Sequence, residues 1–331
     1  MQRLNMIPFS YPEDFDRFKN SLFNFWTPLE IQMGADRSQY ENSELILKHI
    51  AKTNLANLTT SDVEIMDNVA LGTQNAMVNL GLADSPETRM MLNVMAMQEA
   101  LHTFSYQHII ESLGMSLEEQ EKFYNLWKTE PSMRSKVEFA FEHTQMLTNP
   151  DVSLEDFLIG TIFYSLVYEG GWFMTGFNVN WALTHFYTGH DHRPFMNGTS
   201  EQLQYIFRDE TQHVAFGTDI IKRAIGKVDQ KILQKRLAPV LFRAYDLEKA
   251  YAEYLLSQPI LGYSVKDHMA FFGRMVNRRM KDVGLIPFYH VDEDYGICKW
   301  RDTVAGVIKT EKNFFEKRVL EYQVGGLRWD D

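Results

Sequence analysis

Glu99-Ala100-Leu101-His102 and Glu210-Thr211-Gln212-His213 are two copies of one short pattern, a carboxylate three residues ahead of an imidazole. On a helix, positions i and i+3 share a face, so each pair aims both side chains at one point. Two helices carrying such pairs, with one further acid from each of two others, build the carboxylate-bridged dimetal site of a four-helix bundle. A single Glu-x-x-His arises by chance in many helices. Two of them, each on a helix face that is otherwise mainly apolar or aromatic, outweigh the reading as ordinary surface pairs.

Two more acids are then needed. Glu169 sits in Phe163-Tyr164-Ser165-Leu166-Val167-Tyr168-Glu169-Gly170-Gly171-Trp172-Phe173-Met174. An acid in so apolar a segment is costly to bury unpaired, and a metal is the natural partner; the competing reading is a buried salt bridge. Adjacent glycines each weaken a helix by roughly 1 kcal/mol relative to alanine and mark a local distortion there. The first long helix offers Asp62, Glu64 and Asp67. Asp62 is in phase with Leu55, Leu58, Ile65 and Val69 and is expected to face the core, whereas Glu64 and Asp67 fall off that stripe. The predicted ligands are therefore Asp62, Glu99, His102, Glu169, Glu210 and His213. Hard oxygen donors with imidazole suit iron or manganese, and zinc would not need four acids. His190-Asp191-His192 lies between Gly189 and Arg193-Pro194 and reads as a solvated turn. Tyr106 follows His102 by one helical turn and Glu99 by two, on the same face. It is expected beside the metals, where a phenol can lose one electron; the competing reading is a packing tyrosine.

The rest of the chain agrees with a helical protein. Its 331 residues are 45% hydrophobic, enough for a full core. A net charge of −11 argues against general nucleic-acid binding, which needs a basic surface. No apolar run is long enough to span a membrane, and Met1-Gln2-Arg3-Leu4-Asn5 leads into no apolar signal core. Cys298 is the only cysteine, which excludes an intramolecular disulfide and chemistry needing a cysteine pair in this chain. A reduced, cytoplasmic, acidic protein is expected. Apolar residues recur at three and four within proline-free windows, predicting helices over 43–80, 86–112, 118–128, 133–148, 153–187, 199–225, 231–257 and 264–283. Ser85 before Pro86-Glu87, and Ser153-Leu154-Glu155-Asp156, mark two of the starts. The two ends of the chain read as less regular.

Several segments together resemble a known family. Phe25-Trp26-Thr27-Pro28-Leu29-Glu30 with Met33-Gly34-Ala35-Asp36, Glu99 through Tyr106, Tyr205 through His213, and Glu311-Lys312-Asn313-Phe314-Phe315-Glu316 through Glu321-Tyr322-Gln323 are similar to the small, radical-generating subunit of class I ribonucleotide reductase. The resemblance runs from Trp26 to Trp329. It implies an all-α, ferritin-like helical bundle with a buried dimetal-carboxylate site, assembled as a homodimer. It also implies that dioxygen or a reduced oxygen species oxidises the centre, and that Tyr106 or the metals store the radical. Trp26 and Asp209 match the start of the family's radical-transfer path through His102, and Tyr322 matches its tail tyrosine. The radical would pass to a cysteine on a separate large catalytic subunit, which reduces ribonucleotides; a lone Cys298 fits that division of labour. Residues 1–318 would form the radical-generating domain, and 319–331 a tail that is mobile alone and orders on the large subunit. The metals are expected as iron–iron, with manganese–iron and manganese–manganese as alternatives, and an activating flavoprotein is a further implied partner. The C-terminal parts look closest to a branch that often has phenylalanine at the radical position and uses manganese with iron; Tyr106 departs from it. A stand-alone ferritin-like oxidase and an iron-storage protein are the competing functions, and neither needs the Tyr322 tail.

Overall fold

Pro86 stands in the first turn of α5 (Pro86–Ser112), where its missing N–H costs no hydrogen bond, and Ser153 caps α9 (Leu154–Thr161) by accepting from the Asp156 amide. α13 (Val265–Asp282) opens on a reciprocal box between Ser264 and Asp267. These are three helices of an all-α fold in the computed structural model, which describes residues 3–68, 72–258 and 263–291. α1 (Pro12–Phe23) and α2 (Asp36–Glu41) lead into α3 (Leu45–Asn68), α4 (Gln74–Asn79) and α5. α6 (Leu117–Tyr124), α7 (Leu126–Thr129) and α8 (Pro131–Gln145) follow. After α9 the helix continues through a π-helical segment, Ile162–Phe173, into α10 (Met174–Phe186). α11 (Asn197–Ile225), α12 (Gln230–Leu255) and α13 complete the described elements. No β-strand occurs among the described residues.

Four of these elements frame the centre. α3 lies along α5, the π segment lies along α11, and α5 meets α11. The α3 stripe is buried as its spacing requires, with Leu55, Leu58 and Ile65 at 2% exposure or less. No helix among the described residues is long and apolar enough to cross a membrane.

The structure departs from the predicted elements in two places. The N-terminal region holds α1, which packs against α5. Pro12 in its first turn followed by Glu13 and Asp14 was the available start signal. Within the single helix expected over 43–80, the described residues hold α3 as far as Asn68 and α4 from Gln74; residues 69–71 lie outside the described residues. At Gly72 a Cβ would sit 2.4 Å from the Thr148 Cα, so two backbones approach there at a distance only glycine allows. The helix over 153–187 is not uniformly α. Its middle twelve residues are π-helical and contain Glu169, Gly170 and Gly171, so the glycine pair does mark a distortion. A Cβ on Gly171 would meet Phe272 and Val276 at 2.9 Å. Burying those two side chains is worth roughly 1.5–3 kcal/mol each, more than the ~1 kcal/mol that glycine costs a helix. Packing against α13 therefore decides the residue.

Candidate metal centre

The two Glu-x-x-His pairs face each other across α5 and α11, and each imidazole reaches the glutamate of the opposite helix. His102 Nδ1 lies 3.0 Å from Glu210 Oε1 and 3.4 Å from Glu99 Oε2. His213 Nδ1 lies 2.9 Å from Glu99 Oε1 and 3.5 Å from Glu210 Oε2. α3 adds Asp62, whose Oδ2 is 3.9 Å from His102 Nδ1, and the π segment adds Glu169, whose Oε1 is 3.9 Å from His213 Nδ1. All six side chains are fully buried. They fall into two overlapping groups with metal-ligand spacing, Asp62–Glu99–His102 and Glu99–Glu169–Glu210–His213.

The donor set fits two hard cations. Both oxygens of all four carboxylates and the Nδ1 of both imidazoles lack a hydrogen-bond partner. Buried polar atoms are ordinarily satisfied, so this concentration of orphans calls for positive charge. The titrations point the same way. Burial, then the neighbouring acids, push Asp62 and Glu169 well above the usual carboxylate range. Burial disfavours the imidazolium form of His102 and His213, yet the surrounding carboxylates outweigh it and raise both. Glu210 goes the other way, to about 2, because His213 and His102 outweigh its burial. Four acids in one dry pocket cannot all ionise without cations to balance them.

The far side of each imidazole is held by the residue that precedes the opposite glutamate. His102 Nε2 meets Asp209 Oδ2 at 3.4 Å, and His213 Nε2 meets Gln98 Oε1 at 3.1 Å. Such contacts fix the ring and its tautomer. The residue ahead of the glutamate in each motif was thus a signal in the sequence; Asp209 was singled out only through the family resemblance, as part of a radical path, and Gln98 was missed. The pseudo-symmetry breaks in charge. Asp209 also accepts from Trp26 Nε1 at 2.8 Å and is flanked by Arg208 at 3.2 Å. Burial opposes its ionisation, but His102, Arg208 and Trp26 hold it below the usual range. The Trp26 ring lies 6.5 Å from that of His102 and stacks on Tyr205 at 5.0 Å.

The structure places the remaining candidates as follows. Tyr106 is fully buried, and its hydroxyl makes no hydrogen bond. Burial first, then the Asp62 charge, raise its pKa, which puts the phenol on the Asp62 side of the centre. Glu64 does not join the cluster. It accepts from Thr144 Oγ1 at 2.5 Å and from the Tyr168 hydroxyl at 3.3 Å, and burial pushes it up to about 7. The Asp67 side chain and Tyr322 lie outside what the structure describes. In the His190–His192 loop, Asp191 accepts from Gln39 Nε2 at 2.8 Å and from Arg193 Nε at 2.9 Å. Tyr164 was not foreseen. It is buried with an unpartnered hydroxyl, and after burial the Glu169 charge is the main influence on it.

Residues 3–295 match the family described as "Ribonucleotide reductase, small chain". The chain is 31% identical to the ribonucleoside-diphosphate reductase subunit beta of Chlamydia pneumoniae, over 98% of this chain and 91% of that one. Among solved structures it is similar to the ribonucleotide reductase R2 subunit from Clostridium botulinum, with a TM-score of 0.76, 21% identity, and coverage of 89% of this chain and 88% of that chain. An R2-like ligand-binding oxidase with a reconstituted Mn/Fe cofactor shares the fold at a TM-score of 0.70 and 16% identity, covering 84% of this chain and 95% of that chain.

Proposed function

The chain belongs to the ribonucleotide reductase small-chain family, and on that premise we propose how its residues serve as the radical-generating subunit of a ribonucleoside-diphosphate reductase. Asp62, Glu99, His102, Glu169, Glu210 and His213 would hold a dinuclear centre of iron–iron, with manganese–iron and manganese–manganese as the alternatives. When bound, that pair supplies the one-electron oxidising equivalent. Tyr106 is the radical carrier, because its phenol is beside Asp62 and walled from water.

The observation that carries the reading is the continuous contact from Trp26 through Asp209 to His102. Asp209 holds the indole N–H and the imidazole on one carboxylate oxygen, so a proton and an electron have a joined route between Trp26 and the centre. Trp26 is only 2% exposed, which keeps an oxidised indole from solvent. Tyr322 completes the route to a large catalytic subunit, with the tail beyond residue 318 as the docking element. The protein would act in the cytoplasm as a homodimer, and a flavoprotein would supply a reduced oxygen species where dioxygen does not suffice. A stand-alone oxidase needs no exit through Trp26.

The test is metal analysis with electron paramagnetic resonance after aerobic loading, followed by turnover with the large subunit. Wild type should bind two metals per chain and show a tyrosyl signal. Tyr106→Phe should keep both metals and lose that signal. Trp26→Phe should keep metals and signal yet lose about a hundredfold or more in turnover. Undiminished turnover in Trp26→Phe would exclude the route.

A further inference from the structure

Two aromatic paths lead away from the centre, and they treat an oxidised ring differently. On the first, the Trp26 N–H donates to Asp209 Oδ2 at 2.8 Å. An electron drawn from that indole can leave while its N–H proton passes to the carboxylate, so no net charge stays on the ring. The second path starts at Tyr168. Burial, then the charges of Glu64 and Asp62, raise the pKa of its phenol, which places it beside the centre. Its ring meets that of Trp172 edge to face, 5.4 Å between centres. Tyr251 of α12 lies beyond, and Trp172 and Tyr251 are both buried.

This second path holds no base. Neither Trp172 Nε1 nor the Tyr251 hydroxyl has a hydrogen-bond partner, so neither has an acceptor for the proton that oxidation would release. An electron drawn from Trp172 would leave the indole as a cation radical. The path also holds a cation. The Lys136 ammonium lies 4.5 Å from the Trp172 ring centre and 4.2 Å from that of Tyr251. Burial pulls the Lys136 pKa down, and Glu248, bonded to it at 2.6 Å, opposes the loss of its proton. An ammonium attracts a neutral ring. It repels a ring that carries positive charge, and at this distance, with an effective dielectric constant of about 20, the oxidised population falls by about a hundredfold or more. Glu248 offsets part of that field, yet the ammonium is the charge seated against both rings.

We propose that Lys136 is an electrostatic guard that closes the Trp172–Tyr251 path, so that the radical leaves the centre through Trp26. The inference rests on the Trp26 exit argued above and adds what bars a second route. Lys136 acts through the two rings it covers, as a positioning residue.

The test replaces the ion pair by an apolar pair of similar volume, Lys136→Met/Glu248→Leu, in the full chain. Electron paramagnetic resonance is recorded after aerobic loading of protein grown with ring-deuterated tryptophan. Wild type should show a tyrosyl signal alone. The double variant should add a tryptophan signal that narrows on deuteration and disappears when Trp172→Phe is introduced. A double variant with wild-type metal content and only the wild-type signal would overturn the guard, since a purely bracing role predicts that result. A second measurement needs no metal. In the metal-free chain, azide radicals from pulse radiolysis take one electron from a tryptophan and become azide anions, and the hole then spreads among the rings. Trp172→Phe should leave the tryptophan-radical absorbance of wild type unchanged and lower that of the double variant. The same effect in both backgrounds would overturn the proposal. A chain that forms no tyrosyl signal when loaded, yet behaves as expected in the second measurement, would keep the guard at Trp172 and remove the proposed function.

Discussion

Single atoms decide which acid of α3 belongs to the centre. Asp62 and Glu64 are two residues apart and both largely withdrawn from water. Asp62 has no partner on either oxygen, whereas Glu64 is occupied by Thr144 and Tyr168. Asp62→Ala should therefore lower metal content, and Glu64→Gln should leave it at wild-type level; the reverse result in elemental analysis would move the ligand. The same residues set a pH dependence. In the metal-free protein, Asp62, Glu169, His102 and His213 all have raised pKa values, so they retain protons that a metal must displace. Glu210, at about 2, has none to give near neutrality. Affinity should thus rise with pH, and metal uptake in weak buffer should acidify the solution. Uptake without proton release would refute this account.

Among the elements, the π segment and its neighbours show how the centre is braced. Thr175, at the start of α10, donates to Glu248 of α12 at 2.7 Å. Glu248 also accepts from Lys136 of α8 at 2.6 Å and faces His268 Nε2 of α13 at 2.6 Å. All three side chains are buried, and the Lys136 ammonium lies 4.5 Å from the Trp172 ring centre, within the π segment. Glu248→Leu would strand a buried ammonium, which costs about 3–5 kcal/mol. A fall in thermal midpoint is expected, with much of it restored in Lys136→Met/Glu248→Leu, since an apolar pair of similar volume replaces the ion pair. A single variant as stable as wild type would show that the network does not brace the helices. The network also predicts acid sensitivity. Lys136 and His268 hold Glu248 at about 2 despite its burial, so its contribution is present above the ordinary glutamate value of 4.5 and is lost as pH falls toward 2.

For the whole molecule, function depends on traffic through one buried centre. Its Asp62–His102 half meets Tyr106, Asp209 and Trp26, and its Glu169–His213 half is backed by Gln98 and Tyr164. Truncation after Arg318 should leave metal content and the tyrosyl signal intact and abolish turnover with the large subunit, as read by deoxyribonucleotide formation. A truncated chain that still supports turnover would favour a self-contained oxidase.

The sequence by itself determined the helical class and brought Glu99 with His102, and Glu210 with His213, onto shared faces, because i and i+3 geometry is local. The phase of α3 singled out Asp62 in the same way, and the apolar run around Glu169 required a partner for its acid. Local rules could not say that each imidazole would lie nearest the glutamate of the opposite helix, nor that Gln98 and Asp209 would support rings across the bundle. Those contacts depend on how α5 and α11 dock. The π segment was legible only as a glycine pair, since its length is set by the approach of α13 to Gly171. The need for glycine at position 72 was hidden for the same reason, as Gly72 answers to Thr148, far along the chain. The unpartnered Tyr164 hydroxyl was not legible at all, because whether a buried hydroxyl finds a partner is decided by packed surfaces from several helices and no stretch of sequence encodes it alone.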